Sequence, residues 1–235
     1  MADKPLLVGI AGGSGSGKSW LARFLLERLG SRAVIVCQDW YYKHNGDLSD
    51  AEALKLNFDH PKSLENSLLC AQLAKLRAGE PIDRPVYDYA LHSRLKETKR
   101  VEPAPLIILE GLLVLHEPKL RAQMDYSVFI ETPADIRLAR RVRRDCSERR
   151  VDLNETLRLY EHCVRPMHER FIAPSSQYAT WIWKQEEDKA FPADLLRTLE
   201  RRLPALTNSP TPVKRGAWRT VASAPRSPTR ASSGT

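Results

Sequence analysis

Short runs of apolar residues alternate with longer amphipathic stretches along this chain. The apolar runs cover residues 5–11, 33–37, 106–115, 126–131 and 179–183. Near-continuous apolar runs of this length are typical of parallel strands that are buried on both faces. The amphipathic stretches, with apolar residues at helical spacing, cover residues 19–30, 63–77, 134–149 and about 153–171. Strands that alternate with helices predict an α/β fold, in which helices cover both faces of a parallel sheet.

Residues 81–101 depart from this pattern. They combine strand-like alternation with proline, histidine and serine, a composition that does not favour a helix. We interpret them as a short β-excursion that caps a site at the carboxyl edge of the sheet.

Length and composition predict one main domain. A chain of 235 residues with 42% hydrophobic content can form one sizeable core, which we assign to residues 1–203. No run approaches the roughly 20 apolar residues of a membrane span, and the amino terminus does not resemble a signal peptide. The four cysteines are scattered without a CxxC pair. They predict reduced thiols and a cytoplasmic protein with no membrane partner.

The net charge of +8 raises the question of a nucleic-acid partner. Residues 204–235 carry five basic and no acidic residues, so residues 1–203 account for only +3. This basic segment is rich in proline, serine and threonine, and we predict a disordered tail. At most, we expect a weak electrostatic contact with nucleic acid through this tail.

Residues 12–19, with the sequence GGSGSGKS, satisfy the phosphate-binding pattern G-x-x-x-x-G-K-[ST]. The pattern lies between a predicted strand and a predicted helix, as a P-loop requires. Its backbone amides and the helix amino terminus would surround the phosphates of ATP or GTP. Lys18 would reach the β- and γ-phosphates, and Ser19 would bind Mg²⁺. The predicted nucleotide-binding residues are Gly12, Gly13, Ser14, Gly15, Ser16, Gly17, Lys18 and Ser19.

Two carboxylates are expected at the same edge of the sheet. Glu110 follows the apolar sequence LIIL and would bind Mg²⁺ directly or through water, although it could instead cap the next turn. Asp39 follows the second strand and could accept a proton from an attacking hydroxyl group.

Residues 137–150 contain too many arginines for one helix face. We expect some of them to lie in solvent, paired with Asp145 and Glu148, and others to neutralise charge on the transferring phosphate. We call residues 137–151 the arginine-rich lid.

With these residues identified, the chain resembles the uridine kinase (uridine-cytidine kinase) family of P-loop kinases from about Val8 to Ala179. The resemblance rests on six ordered signatures: GIAGGSGSGKS, QDWYY, NFDHP (57–61), PVYDYALHSR (85–94), IILEGLLVL and RRVRRDCSER. It implies the acceptor, which the residues alone do not identify. The implied reaction is ATP-dependent phosphorylation of the 5′-hydroxyl of a pyrimidine ribonucleoside, as in pyrimidine salvage.

The same resemblance implies residue roles. Asp39 would be the general base, and Arg144 and Arg149 would contact the phosphates from the lid. Asp59 would hold the ribose hydroxyls, and Arg141 would contact the sugar. The residues implied around the nucleoside are Tyr42, Phe58, Asp59, Tyr87, Tyr89, His92 and Arg141.

The chain departs from the family pattern in the lid. Arg150 stands where glycine is expected, Val151 where a base-contacting arginine is expected, and Leu159 where glutamine is frequent. These departures leave open another small alcohol as acceptor, such as nicotinamide riboside, pantothenate or a sugar phosphate. A nucleotide-binding regulator is disfavoured because the chain has no N-K-x-D element. The resemblance also leaves a homo-oligomer open.

Overall fold

The computed structural model of the chain describes residues 4–43, 57–88 and 93–204. Its strands are β1 (Leu6–Gly12), β2 (Ala33–Cys37), β3 (Ile82–Asp88), β4 (Ser93–Val101), β5 (Leu106–Glu110), β6 (Tyr126–Glu131) and β7 (Trp181–Lys184). Five of these strands form one parallel sheet in the order β2-β5-β1-β6-β7. Their carboxyl ends therefore lie along one edge, where an α/β sheet places its ligands.

Helices connect the strands of the sheet. They are α1 (Lys18–Leu29), α2 (Asn66–Arg77), α3 (Pro118–Arg121), α4 (Ala134–Ser147), α5 (Leu153–Leu159), α6 (Arg165–Met167) and α7 (Phe191–Glu200). The π-helical turn Tyr160–Val164 joins α5 to α6, and a second π-helical turn, His168–Ile172, continues this helical stretch to the 3₁₀ turn Ala173–Tyr178. The other 3₁₀ turns are Gly30–Arg32, Gln38–Tyr41 and Pro61–Ser63.

Side chains of β1 pack alternately into two hydrophobic clusters. Leu7 and Ala11 belong to the cluster that contains the apolar residues of α2. Val8 and Ile10 belong to the cluster that contains the apolar residues of α1 and α7. The sheet is thus buried on both faces, which confirms the predicted α/β fold.

The third apolar run is only partly a strand. β5 ends at Glu110, and the rest of the expected run, 111–115, forms turns in which the side chains of Leu113, Val114 and Leu115 are buried. Gly111 packs so tightly on Gln38 that a Cβ atom there would lie 2.4 Å from the Gln38 Cβ atom. The Gln38 Oε1 atom accepts a hydrogen bond from the Leu113 backbone N at 2.9 Å. This hydrogen bond fixes the turn. Because the apolar run continues through the turn, the apolar pattern alone could not show where β5 ends.

β3 and β4 form a separate antiparallel hairpin in the segment interpreted as a β-excursion, with an irregular register between Pro85 and Tyr87. Tyr89 and His92, two of the predicted nucleoside contacts, lie outside the described residues, as does the predicted tail beyond Pro204. Within the described ranges, no helix has the length and apolar character needed to span a membrane.

Candidate active site

The P-loop joins β1 to α1 in a conformation that depends on glycine. Gly15 and Gly17 have φ angles of 81° and 98°, in a region that other residues rarely adopt. A Cβ atom at Gly15 would also lie 2.5 Å from the Arg137 carbonyl oxygen. The Lys18 Nζ atom donates a hydrogen bond to the Gly13 carbonyl oxygen at 3.0 Å. Burial lowers the pKa of Lys18, and the nearby Glu110 carboxylate opposes this shift.

The residues of the loop fit a nucleotide triphosphate with Mg²⁺. The buried Ser16 Oγ atom has no hydrogen-bond partner among the described residues. The Ser19 Oγ atom lies 3.3 and 3.2 Å from the two carboxylate oxygens of Glu110. Across the described ranges, no group of three His, Cys, Asp or Glu residues could hold a metal by itself. One hydroxyl and one carboxylate suit Mg²⁺, which usually binds few protein ligands together with substrate phosphates.

Asp39 lies on the 3₁₀ turn Gln38–Tyr41, directly after β2. β2 is adjacent to β5, and the register pairs Cys37 with Glu110, so the Asp39 turn begins beside Glu110. Burial and the Glu110 carboxylate raise the pKa of Asp39 from an ordinary 3.8 to about 6, although Lys18 acts to lower it. The predicted general base therefore lies close to the predicted lysine and metal ligand.

Three aromatic residues form one contact group beside this turn. The ring centroid of Tyr42 lies 5.4 Å from that of Phe58 and 5.3 Å from that of Tyr87. Asp59, next to Phe58, is 8% exposed, and burial raises its pKa while the Arg141 guanidinium acts to lower it. The structure thus brings together four of the seven predicted nucleoside contacts, with Arg141 near Asp59.

Three of the lid arginines gather around one carboxylate. Asp145 forms ion pairs with Arg141 at 3.2 Å, Arg144 at 2.9 Å and Arg149 at 3.5 Å. Arg141 Nη1 also donates a hydrogen bond to the Ser14 Oγ atom of the P-loop at 3.1 Å. The expectation that Asp145 pairs with arginine in solvent was wrong in one respect, because Asp145 is 4% exposed. Three guanidinium groups compensate the charge of this buried carboxylate.

Arg137 has a different position from these three arginines. It is buried, and its Nε atom donates a hydrogen bond to the Thr132 carbonyl oxygen at 3.0 Å. A Cβ atom at Gly13 would lie 2.5 Å from Arg137 Nη1 and 3.0 Å from His168 Nδ1. Burial and the neighbouring Arg137 lower the pKa of His168 to about 4. These two side chains therefore pack against the P-loop, a contact that the sequence pattern did not identify.

Other contacts at the site were also not predicted from the sequence. Gln185, after β7, lies over the P-loop, with its Nε2 atom 2.8 Å from the position of a Cβ atom at Gly17. Arg140 Nη1 donates a hydrogen bond to Gln185 Oε1 at 2.6 Å. Arg94 donates hydrogen bonds to the carbonyl oxygens of Tyr41 and Tyr42, shortly after Asp39. Its place in the PVYDYALHSR signature was the only sequence signal for it.

Two of the three departures from the family pattern, Arg150 and Val151, follow α4, and the third, Leu159, is the last residue of α5. Arg150 has a φ angle of 58° and is the only residue other than glycine with a positive φ angle in the described chain. The Val151 backbone N donates a hydrogen bond to the Asp145 carbonyl oxygen at 2.9 Å, closing this turn. Val151 and Leu159 are both half-buried.

Comparisons with known proteins agree with this fold. The model of the phosphoribulokinase / uridine kinase family matches residues 7–191. A protein named uridine kinase from Geobacillus sp. (strain WCH70) is 44% identical over 86% of this chain and 97% of its own length. Another of that name, from Geobacillus kaustophilus (strain HTA426), is 44% identical over 83% of this chain and 93% of its own length.

A solved structure described as a possible uridine kinase from Bacillus stearothermophilus has a TM-score of 0.57 at 16% identity. The match covers 78% of this chain and 91% of that one, and it supports the fold alone. The family match and the identity to curated relatives carry the assignment: the chain belongs to the phosphoribulokinase and uridine kinase family.

Proposed function

We propose that this protein is a nucleoside kinase that transfers the γ-phosphoryl group of ATP to the 5′-hydroxyl of uridine or cytidine. The observation that carries the proposal is the position of Asp39, beside Lys18 and Glu110 at the end of the P-loop sheet. The 44% identity to relatives named uridine kinase supports the acceptor. The reaction has a place in pyrimidine salvage. The four free cysteines suit a reducing, cytoplasmic setting.

The P-loop residues would hold the triphosphate. Backbone amides of residues 12–19 and the amino terminus of α1 would bind phosphate oxygens, and Lys18 would exchange its bond to Gly13 for the β- and γ-phosphates. Ser19 and Glu110 would hold Mg²⁺, which supplies neutralisation of the charge on the phosphates. The separation of Ser19 and Glu110 allows both side chains to contact one ion or its bound water.

Asp39 would accept the proton of the attacking 5′-hydroxyl. With a pKa of about 6, this carboxyl group is mostly ionised at pH 7 and is still more basic than an ordinary aspartate. A base is most effective when its pKa lies near the working pH.

The aromatic group of Tyr42, Phe58 and Tyr87 would form the wall against which the nucleoside packs. Asp59, adjacent to Phe58, would accept hydrogen bonds from both ribose hydroxyls, as a fixed carboxylate can do. Arg141 would contact the sugar from the lid side. Tyr89 and His92 would complete the base pocket from the chain between β3 and β4.

Arg144 and Arg149 would act during transfer. Both are paired with Asp145, and this common partner would hold them near the P-loop before the nucleotide and acceptor are bound. Closure of the lid would then bring their guanidinium groups to the transferring phosphoryl group, where charge increases in the transition state.

An ADP-release assay with uridine, cytidine, adenosine and nicotinamide riboside tests the proposal, using ATP and Mg²⁺ throughout. We expect turnover with uridine or cytidine, with a 5′-monophosphate as product. Asp39→Asn should reduce kcat by about 10²–10⁴-fold while ATP still binds. Preference for adenosine or nicotinamide riboside over both pyrimidine nucleosides would contradict the proposed acceptor.

A further inference from the structure

The turn that carries Asp39 is held by contacts on several sides. Gln38 is fully buried, and its Oε1 atom accepts a hydrogen bond from the Leu113 backbone N at 2.9 Å. Tyr41 is also fully buried, and its hydroxyl group donates to the Gln72 Oε1 atom of α2 at 2.6 Å. The side chains on either side of Asp39 therefore anchor the turn to the exit of β5 and to α2.

A third anchor comes from the β3–β4 hairpin. Arg94, at the start of β4, donates hydrogen bonds from Nη2 to the Tyr42 carbonyl oxygen at 2.8 Å and to the Tyr41 carbonyl oxygen at 3.2 Å. Its Nη1 atom donates to Glu65 Oε2 at 2.6 Å. The guanidinium fork thus connects the backbone that follows Asp39 to the residue that precedes α2. Such a planar fork can bind several acceptors at once, whereas an ammonium group is a single point charge.

The hairpin contacts the same turn through its other strand. The guanidinium group of Arg84, a buried residue of β3, lies 3.6 Å from the ring centroid of Trp40. Tyr87 of β3 is the register partner of Arg94 and packs against Tyr42. The hairpin therefore contacts three successive residues after Asp39, and two of its side chains do so through guanidinium groups.

We infer that Arg94 is a positioning residue that connects the β3–β4 hairpin to the Asp39 turn, so that the acceptor-binding hairpin also fixes the general base. The inference rests on the proposed function for the role of Asp39. Arg94 acts through the Tyr41 and Tyr42 carbonyl groups, one of which belongs to the residue that packs against Tyr87. An acceptor that contacts Tyr42 and Tyr87 thereby orders the Asp39 turn, which carries the general base. Misplacement of a catalytic group by about 1 Å can reduce a rate by about 10²-fold.

Arg94→Lys tests this inference, because lysine keeps the charge but cannot bridge both carbonyl groups and Glu65. We expect kcat to fall by about 10–100-fold while the KM for ATP changes by less than about twofold. The lower pKa in the pH profile of kcat should also move below its wild-type value, because a looser turn admits water around Asp39. Arg100→Lys is the matched control on the same strand, where Arg100 is exposed and pairs with Glu102. It should leave all three readouts unchanged.

A double-variant cycle distinguishes positioning from general stability. Arg94→Lys in an Asp39→Asn background should cause little further loss, because the base that Arg94 positions is already absent. A full multiplicative loss there would overturn the inference, as would an unchanged kcat in the single variant. Full activity of Asp39→Asn would instead contradict the proposed role of Asp39 itself, so the two failures are distinguishable.

A second variant covers the case in which Arg94→Lys does not fold. Glu65→Gln removes the charge that orients Arg94 and leaves the guanidinium group and the turn in place. It should lower kcat in the same direction by about 3–10-fold, with the KM for ATP unchanged and a circular dichroism spectrum like that of the wild type. Wild-type kcat in folded Glu65→Gln would overturn the inference if Arg94→Lys cannot be measured.

Discussion

Asp39→Asn is expected to make the protein more stable at neutral pH while it removes activity. Burial and the Glu110 carboxylate raise the pKa of Asp39 from 3.8 to about 6, which means that the folded protein disfavours the ionised carboxylate relative to the unfolded chain. Asparagine keeps the shape of the side chain and carries no charge. It therefore removes an unfavourable interaction that is present in the wild-type site, where we propose that the carboxylate accepts a proton.

The size of the effect follows from the two pKa values. The difference between 3.8 and about 6 corresponds to about 3 kcal/mol, and solvent screening of a partly exposed carboxylate reduces this to about 1–2 kcal/mol. Between these pKa values the folded state binds more protons than the unfolded state, so wild-type stability falls as pH rises through this window. The destabilisation is complete above about pH 6 and absent below about pH 4. For a chain of this length we expect the asparagine variant to have a Tm higher by roughly 2–8 °C at pH 8.

Thermal unfolding of both proteins at pH 8 and pH 4 measures this difference. The advantage of Asp39→Asn should be present at pH 8 and should be largely lost at pH 4, where the folded protein keeps the aspartate protonated and the unfolded chain is partly protonated. Asp83→Asn is the matched control, because Asp83 is exposed on β3; it should show no comparable dependence. A lower Tm for Asp39→Asn at pH 8 would refute the view that Asp39 is held in an unfavourable ionised state.

Three further predictions concern the same site. In the pH profile of kcat/KM for uridine, activity should fall about tenfold from pH 7 to pH 5 as Asp39 is protonated. Lys18→Ala should lower kcat/KM by at least about 10²-fold in the same ADP-release assay; near-normal turnover would contradict the P-loop assignment. Arg150→Gly should raise the free energy of unfolding in urea by about 0.5 kcal/mol, because relief of the left-handed conformation exceeds the entropy that glycine gains in the unfolded chain. A lower free energy of unfolding would indicate that the Arg150 side chain stabilises the lid.

The local parts of the site could be predicted from the sequence. The P-loop is one continuous segment, and its glycines, Lys18 and Ser19 have their positions fixed by the strand and helix on either side. Asp39 and Glu110 could be placed at the same edge because parallel strands share the direction of their carboxyl ends. In both cases a short pattern, together with the strand prediction, determines where the side chain lies.

The contacts that support the site could not be predicted in this way. Arg94 reaches carbonyl groups 52 and 53 positions away in the chain, and no periodic pattern records such a pairing. Aspartate is usually a surface residue. The burial of Asp145 depends on three arginine partners that lie together at the end of α4. The sequence indicated the arginine-rich lid only as a run of arginines. The burial and the partners of each arginine are needed to distinguish the positions that these side chains occupy.

Arg150 illustrates how one such departure acts. The resemblance to the uridine kinase family implies glycine at this position, and the φ angle of 58° is one that glycine adopts without strain. The chain therefore keeps the left-handed turn despite the arginine, and the hydrogen bond from Val151 to Asp145 closes it. Because Asp145 also holds Arg144 and Arg149, the turn preserves the arginines proposed to contact phosphate. The departures at 150 and 151 change which side chains follow this turn, so we expect their consequence in base selectivity and not in phosphoryl transfer.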